Sequence, residues 1–154
     1  MKIRDATKED VAEMSAFLQQ LAALGKRTSR SDPAFVLSNY IHDPNKVQCA
    51  VAEDADGTIL GFQSLKVAME ANIYGVEPGW GIIGTHIRPD AARRGVGRAL
   101  FAATREAAQR SGLTKIDASI AATNPEGLAY YEAMGFRSYR TSDGTICKCL
   151  DLTS

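Results

Sequence analysis

The spacing of apolar and polar positions changes several times along this chain, and each change marks an element. Residues 2–6 read as a short strand. From 8 to 24, Val11, Met14, Phe17, Leu18 and Leu21 recur at helical spacing. Thr7 is placed to cap that helix, Asp10 lies in its first turn, and Gly25 ends it. A second, shorter helix follows Asp32-Pro33 and carries Phe35, Val36, Leu37, Tyr40 and Ile41. Residues 47–53 and 58–68 then read as two strands. Asp54-Ala55-Asp56-Gly57 supplies the turn chemistry that makes them a hairpin.

Residues 69–78 are a loop by composition. A strand over 79–88 carries Trp80, Ile82, Ile83 and Ile87, and Pro89 ends it because proline cannot donate to a ladder. The pattern over 95–110 is a helix with Val96, Leu100, Ala103 and Ala107 on its apolar stripe, closed by Gly112. Residues 115–120 form a strand. Residues 124–134 form a helix with Asn124 as its cap, Pro125 at its first position and Gly135 at its end. Two last strands, 136–140 and 145–152, flank a turn at Ser142-Asp143-Gly144. The order β-α-α-β-β-β-α-β-α-β-β predicts an α/β (α+β) fold, a mixed sheet with helices packed on it. No repeat, low-complexity tract or linker interrupts it, so residues 1–154 read as one domain.

Composition narrows the class. Of 154 residues, 45% are hydrophobic and 23% charged, which suits an ordinary globular chain. Lys plus Arg and Asp plus Glu both number 18, and a net charge of zero argues against nucleic acid as the main partner. The start, MKIRDATKED, is too polar for a signal peptide, and no apolar run has the length of a membrane span. The expectation is a cytoplasmic protein with no membrane partner. Cys49, Cys147 and Cys149 lack CxxC spacing and read as reduced thiols. Cys147 and Cys149 would share one strand face, but a zinc site wants four ligands, so no metal is expected.

Zero net charge hides an uneven distribution. Arg88, Arg93, Arg94 and Arg98 fall within residues 88–98 against a single acid, Asp90. Gly95 and Gly97 lie among them where loop becomes helix. The first N–H groups of a helix lack internal partners and sit at the positive end of its dipole. Glycines let an anion approach that backbone closely. A ligand with several phosphates is therefore expected. The segment lacks the GK[ST] of a P-loop. It also departs from the dinucleotide pattern GxGxxG, because Leu100 takes the third glycine position and the strand ends too early. Asp117 does fall where a ribose-binding acid would lie.

A strand, Ile87-x-Pro89, a short loop and then Arg93-Arg94-Gly95-Val96-Gly97-Arg98 resembles the GNAT superfamily of N-acetyltransferases. The family's turn reads [QR]xxGx[GA], and Ala92 stands at its first position here. The segment Asn124 to Phe136 resembles the family's other signature, N-x-x-[AG]-x-x-x-Y-x-x-x-G-F. Together the likeness covers residues 80–137. It implies a GNAT-like acyl-CoA N-acyltransferase fold, a mostly antiparallel sheet splayed between two parallel strands with helices on both faces. It implies acetyl-CoA as cofactor, its pyrophosphate on the turn from Arg93 to Arg98. It implies contacts from Asn124 and from the strand backbone at Thr85, His86 and Ile87 to the pantetheine arm.

The same resemblance makes the chain an enzyme in which a primary amine attacks acetyl-CoA directly, through a tetrahedral intermediate. Tyr131, four before Gly135, is then the acid that protonates the departing sulfur, and Tyr130 reads as core. Seven residues make nearly two helical turns, so Asn124 and Tyr131 point the same way, roughly 10 Å apart along the axis. A base is less clear. Gly81 and Ser119 occupy positions where many relatives carry Glu, and His86 is the nearest titratable residue. The first two helices and the loop 69–78 are expected to line the acceptor pocket, with Glu70, Asn72, Tyr74 and Trp80 as candidates. Small amines, amino acids, aminoglycoside-like compounds and protein N-termini all remain open as acceptors, and a homodimer remains open as the assembly. The alternative is a noncatalytic sensor domain that binds acyl-CoA.

Overall fold

Seven strands form one sheet in the order β1-β2-β3-β4-β5-β7-β6. They are β1 (Lys2–Asp5), β2 (Lys46–Glu53), β3 (Ile59–Val67), β4 (Gly81–Ile87), β5 (Lys115–Ala121), β6 (Arg137–Ser142) and β7 (Thr145–Asp151). The helices are α1 (Val11–Ala23), α2 (Pro33–Val36), α3 (Val96–Arg110) and α4 (Pro125–Ala133). This is a computed structural model that describes residues 1–153. Among these residues no helix is long and apolar enough to cross a membrane.

Every neighbouring pair is antiparallel except β4 and β5. Those two strands have seven residues each but pair only at Gly81 with Ile116 and Ile82 with Asp117. Beyond Ile82 they part, leaving a slot in the middle of the sheet. Backbone groups on its walls have no ladder partner, which a sheet interior tolerates only where something else can bond them.

Alternation along the strands sends side chains to two cores. Cys49, Val51 and Phe62 face α1 and pack with Met14, Phe17 and Leu18. The Phe17 and Phe62 rings meet edge to face at 5.6 Å. Ala50 and Ala52 face the other way, against Val96 and Leu100 of α3. Farther along that face, Leu65, Ile83, Ile116 and Ala118 pack with Phe101, Tyr131 and Phe136. α3 and α4 thus lie across the sheet from α1.

The expected elements all form, with shifts that have local causes. Residues 8–10 make a 3-10 turn before α1, because the Asp10 carboxylate folds back to accept from the Thr7 N–H at 2.8 Å. Gly25, at φ +75°, lets the Lys26 N–H reach Leu21 O at 2.9 Å and stop α1. Asp32 caps α2 by accepting from the Phe35 N–H at 3.2 Å. The second helix is not uniform, however. After Val36 it widens into a π-helical turn over Leu37–Ile41, closed by His42 N–H to Leu37 O at 2.8 Å. β4 starts at Gly81 and not at residue 79. Ala68 N–H donates to Trp80 O and Gly79 N–H to Ala68 O, which pins the loop end beside β3 and leaves Trp80 outside the strand.

Candidate active site

The glycine-arginine turn delivers a bare helix start. Arg93 has φ +64° and Gly95 φ +77°, so the chain turns sharply before α3 begins at Val96. Gly95 is the cap residue and offers no side chain, so the amides of Val96, Gly97 and Arg98 meet no side-chain acceptor. Not every arginine of the cluster is available. Arg88 forks onto Asp90 with two bonds of 2.9 Å, and Arg94 reaches Asp54 at 3.2 Å. Among the described residues Arg93 and Arg98 have no carboxylate partner, so they carry the local excess of charge. Gly97 answers a packing demand as well. A Cβ there would lie 2.5 Å from Cε1 of Tyr130.

A hydrogen-bonded chain runs from that turn across the base of the slot. Tyr130 donates to Gly97 O at 2.8 Å. A phenol has one proton and a carbonyl can only accept, so the group 2.9 Å from the Tyr130 oxygen must be the Gln63 NH₂. The same Nε2 donates to Thr85 Oγ1 at 2.9 Å. Thr85 Oγ1 lies 2.7 Å from the Tyr131 hydroxyl. With one lone pair of Thr85 taken by Gln63, its own proton can go to Tyr131, leaving the Tyr131 proton for a ligand. Gln63 is fully buried, and its Oε1 has no partner. Burial raises the Tyr130 phenol to about 12 and pushes Tyr131 well above the usual tyrosine value. Tyr131 packs between Tyr130 and Phe136, with ring centroids at 4.9 and 5.1 Å.

On the opposite sheet face lies a cavity of about 200 Å³ that reaches both walls of the slot, at Gly84 and His86 of β4 and Ser119 of β5. His86 is half-buried against Phe62 and Tyr40, with centroids at 4.7 and 5.7 Å. Arg27 donates to the Tyr40 oxygen at 3.3 Å, and the Tyr40 hydroxyl stands 3.4 Å from His86 Nε2. With Arg27 donating to its oxygen, Tyr40 is free to give its own proton to Nε2. Burial, then the Arg27 charge, pushes the His86 imidazole down to about 3. Ser119 Oγ donates to Asp117 Oδ1 at 3.0 Å, and the Tyr139 hydroxyl donates to Oδ2 at 2.5 Å. Asp117 is fully buried, and desolvation raises its carboxyl above the usual value.

A profile of the Acetyltransferase (GNAT) family matches residues 14–136. The chain belongs to that family. Among curated proteins, the mycothiol acetyltransferase of Clavibacter michiganensis subsp. michiganensis is 38% identical over 88 residues, 56% of this chain and 26% of that protein. The match thus spans about a quarter of that relative's length. Among solved structures, a GCN5-related N-acetyltransferase from Kribbella flavida superposes with a TM-score of 0.78 at 22% identity, covering 97% of this chain and 96% of that one. An acetyltransferase from Salmonella typhimurium, solved with its cofactor acetyl-CoA, gives 0.74 at 19% identity, over 98% and 93% of the two chains. At these identities the structural likeness speaks for the fold alone.

The GNAT family's cofactor is acetyl-CoA, and the residues present fit it. The uncapped amides at α3 and the unpaired Arg93 and Arg98 suit a pyrophosphate. The slot suits an arm that bonds strand edges, and Gln63, whose Oε1 has no partner, is bonded to Thr85 on its wall. Thr85 and Tyr131 meet at the slot, while the His86 ring faces the other side of the sheet and Ile87 packs against the α3 core. Asn124 spends its Oδ1 on the Gly127 N–H at 3.1 Å as the cap of α4.

Several sequence expectations need correction. Tyr130 does pack its ring against the core, half-buried, but its hydroxyl adds polar work by donating to Gly97 O and accepting from Gln63. Trp80 stacks with Tyr139, Asn72 holds its own loop by bonding Met69 O and Val76 O, and Glu70 is outside the cavity lining. Tyr74 does line it. A Cβ at Gly81 would lie 3.0 Å from Leu65 Cδ1 and 3.1 Å from Leu113 Cδ1, so a side chain there would need those leucine ends to shift. Asp117 is bonded inside the sheet and unavailable to a ribose. Gln63, Asp117 as the partner of Ser119, and Arg27 were missed. Gln63 and Asp117 do leave a trace, as polar residues set among the apolar positions of central strands.

Proposed function

We propose that this chain transfers the acetyl group of acetyl-CoA to a primary amine. The supporting observation is the Tyr131 hydroxyl held at Thr85 on the slot wall, in one bonded chain with the turn at Gly97. Acetyl-CoA, when bound, supplies an activated acetyl thioester. The protein's own groups then have two tasks. Tyr131 holds a proton at its hydroxyl for the departing sulfur, and Thr85 and Gln63 keep that proton aimed away from themselves. Burial keeps the phenol neutral at working pH, so it acts as a donor.

The second task is to take a proton from the amine. A free alkyl ammonium has a pKa of about 10.4, so neutralising it near pH 7 costs roughly 4–5 kcal/mol. His86 is a poor acceptor. With its imidazole pushed down to about 3, it holds a proton far less readily than such an ammonium does. Ser119 offers a better route. It lines the cavity, can accept from the amine at Oγ, and passes its own proton to Asp117 Oδ1. The raised carboxyl pKa brings Asp117 toward the range a base needs.

The test is to mix the protein with acetyl-CoA and a broad amine panel while following thiol release. Acetylated amine formed in step with free thiol is the expected result. Tight acetyl-CoA binding with no release across the panel would favour the sensor reading instead.

A further inference from the structure

We infer that the acceptor carries an anionic group beside its amine, a carboxylate or an acid of similar size, and that Arg27 receives it. This rests on the acetyltransferase reading and narrows its acceptor. The cavity on the α1 side of the slot is lined by Arg27, Lys46 and Lys66 against one carboxylate, Asp43. One of these cations already has a carboxylate: Lys66 lies 3.6 Å from Asp43 and 5.5 Å from the centre of the Tyr74 ring. Lys46 donates to a neutral oxygen, Ile41 O, at 2.9 Å and adds to the positive field as a point charge. Arg27 offers a planar fork, the geometry that matches a carboxylate. Its guanidinium bonds only neutral oxygens, Ser31 Oγ at 2.9 Å, Arg30 O at 2.6 Å and Tyr40 Oη at 3.3 Å.

A half-buried guanidinium held in place by three neutral oxygens, with no carboxylate among the described residues, is a charge awaiting a partner. Its surroundings do not supply one. Asp32 is forked by Arg30 at 2.9 and 2.8 Å, and His86 is neutral. A simple ammonium or a polyamine would enter this cavity against an excess of positive charge, and like charges disfavour it. An amine that brings its own anion removes that penalty. The anion lies toward Arg27 and the amine toward Ser119 and the slot, where the surrounding cations also favour its neutral form. At about 200 Å³ the cavity is below the ~300 Å³ where drug-sized pockets begin, which fits an amino-acid-sized molecule.

The experiment pairs free L-amino acids with their carboxamides, and adds a diamine, in the acetyl-CoA thiol-release assay. Acids should exceed their amides by at least tenfold in kcat/KM. Arg27→Gln should shrink that acid-to-amide ratio at least tenfold, while Arg27→Lys, which keeps the charge, retains most of it. Amides or the diamine outperforming acids would overturn the inference and leave the transferase reading intact. Should no amine turn over, binding to the protein–coenzyme A complex decides it. Acids that raise the melting temperature more than amides, in wild type but not in Arg27→Gln, support the anion site. Equal shifts sink it.

Discussion

At Tyr131 a single hydroxyl lies 2.7 Å from Thr85 Oγ1, inside walls made by Tyr130 and Phe136. Burial raises its pKa, which makes complete loss of its proton costly and keeps it a hydrogen-bond donor. Tyr131→Phe keeps the ring and its packing and removes only that donor. Turnover should fall roughly 10²-fold, the low end for a positioned acid, with the acetyl-CoA dissociation constant changed by less than about threefold. Thiol-release rates beside an equilibrium titration would check this, and unchanged turnover would take Tyr131 out of the mechanism. Tyr131 stands out as a candidate in the sequence because its spacing to Gly135 matches a family signature. Its partners do not. Thr85 was expected to act through its backbone, and nothing in the sequence tells which side chain Gln63 meets 67 residues away at Tyr130. Contacts that join β3 to α4 exist only after the sheet is assembled.

α3 and α4 meet where Tyr130 lies over Gly97, and this contact links the phosphate turn to the helix that bears Tyr131. An alanine at 97 would place its Cβ 2.5 Å from the Tyr130 ring and strain the bond to Gly97 O. Gly97→Ala should cost about 1–3 kcal/mol of stability, as overpacking does, and weaken acetyl-CoA binding as the helix start shifts. In a Tyr130→Ala background the same change should cost almost nothing, because the ring is gone and alanine favours helix over glycine. A double-mutant cycle by urea denaturation reads this coupling directly, and equal costs in both backgrounds would mean Gly97 is needed only for its own backbone. Elements with strong periodicity were readable to within a few residues: α1, α3 and the β2–β3 hairpin. The π-helical turn Leu37–Ile41 was not, since its apolar positions also fit a plain helix. That turn sets Tyr40 against Phe62 and His86, so part of the acceptor cavity was hidden with it. The slot was implied by family resemblance. Alternation gives a strand its faces but cannot say where two parallel neighbours stop pairing.

Zero net charge is an average over a molecule whose charges are distributed unevenly between its two sheet faces. Unpaired arginines mark the α3 start, cations gather at the cavity on the other face, and His86 lies beside that cavity as a neutral ring. Its neutrality has a consequence for stability. An unfolded histidine has a pKa of about 6.5, while the folded ring is pushed down to about 3. Above pH 6.5 both states are neutral and nothing changes. As pH falls below 6.5 the unfolded chain takes up a proton that the folded ring refuses, so stability drops until pH reaches about 3. Between pH 7 and 5 the loss amounts to as much as about 2 kcal/mol, with water at the cavity edge trimming it. Asp117 works the other way, because its raised carboxyl protonates first in the folded state as pH falls. Asp10, held low first by its bonds to Arg4, contributes stability above the unfolded carboxyl pKa of about 4 and loses it only below that. Comparing wild type with His86→Gln cancels both carboxylates. Urea midpoints at pH 7 and pH 5 should show wild type losing more stability than the variant, by up to about 2 kcal/mol. Equal losses would mean that the folded ring accepts a proton in this range, and would return His86 to the list of possible bases.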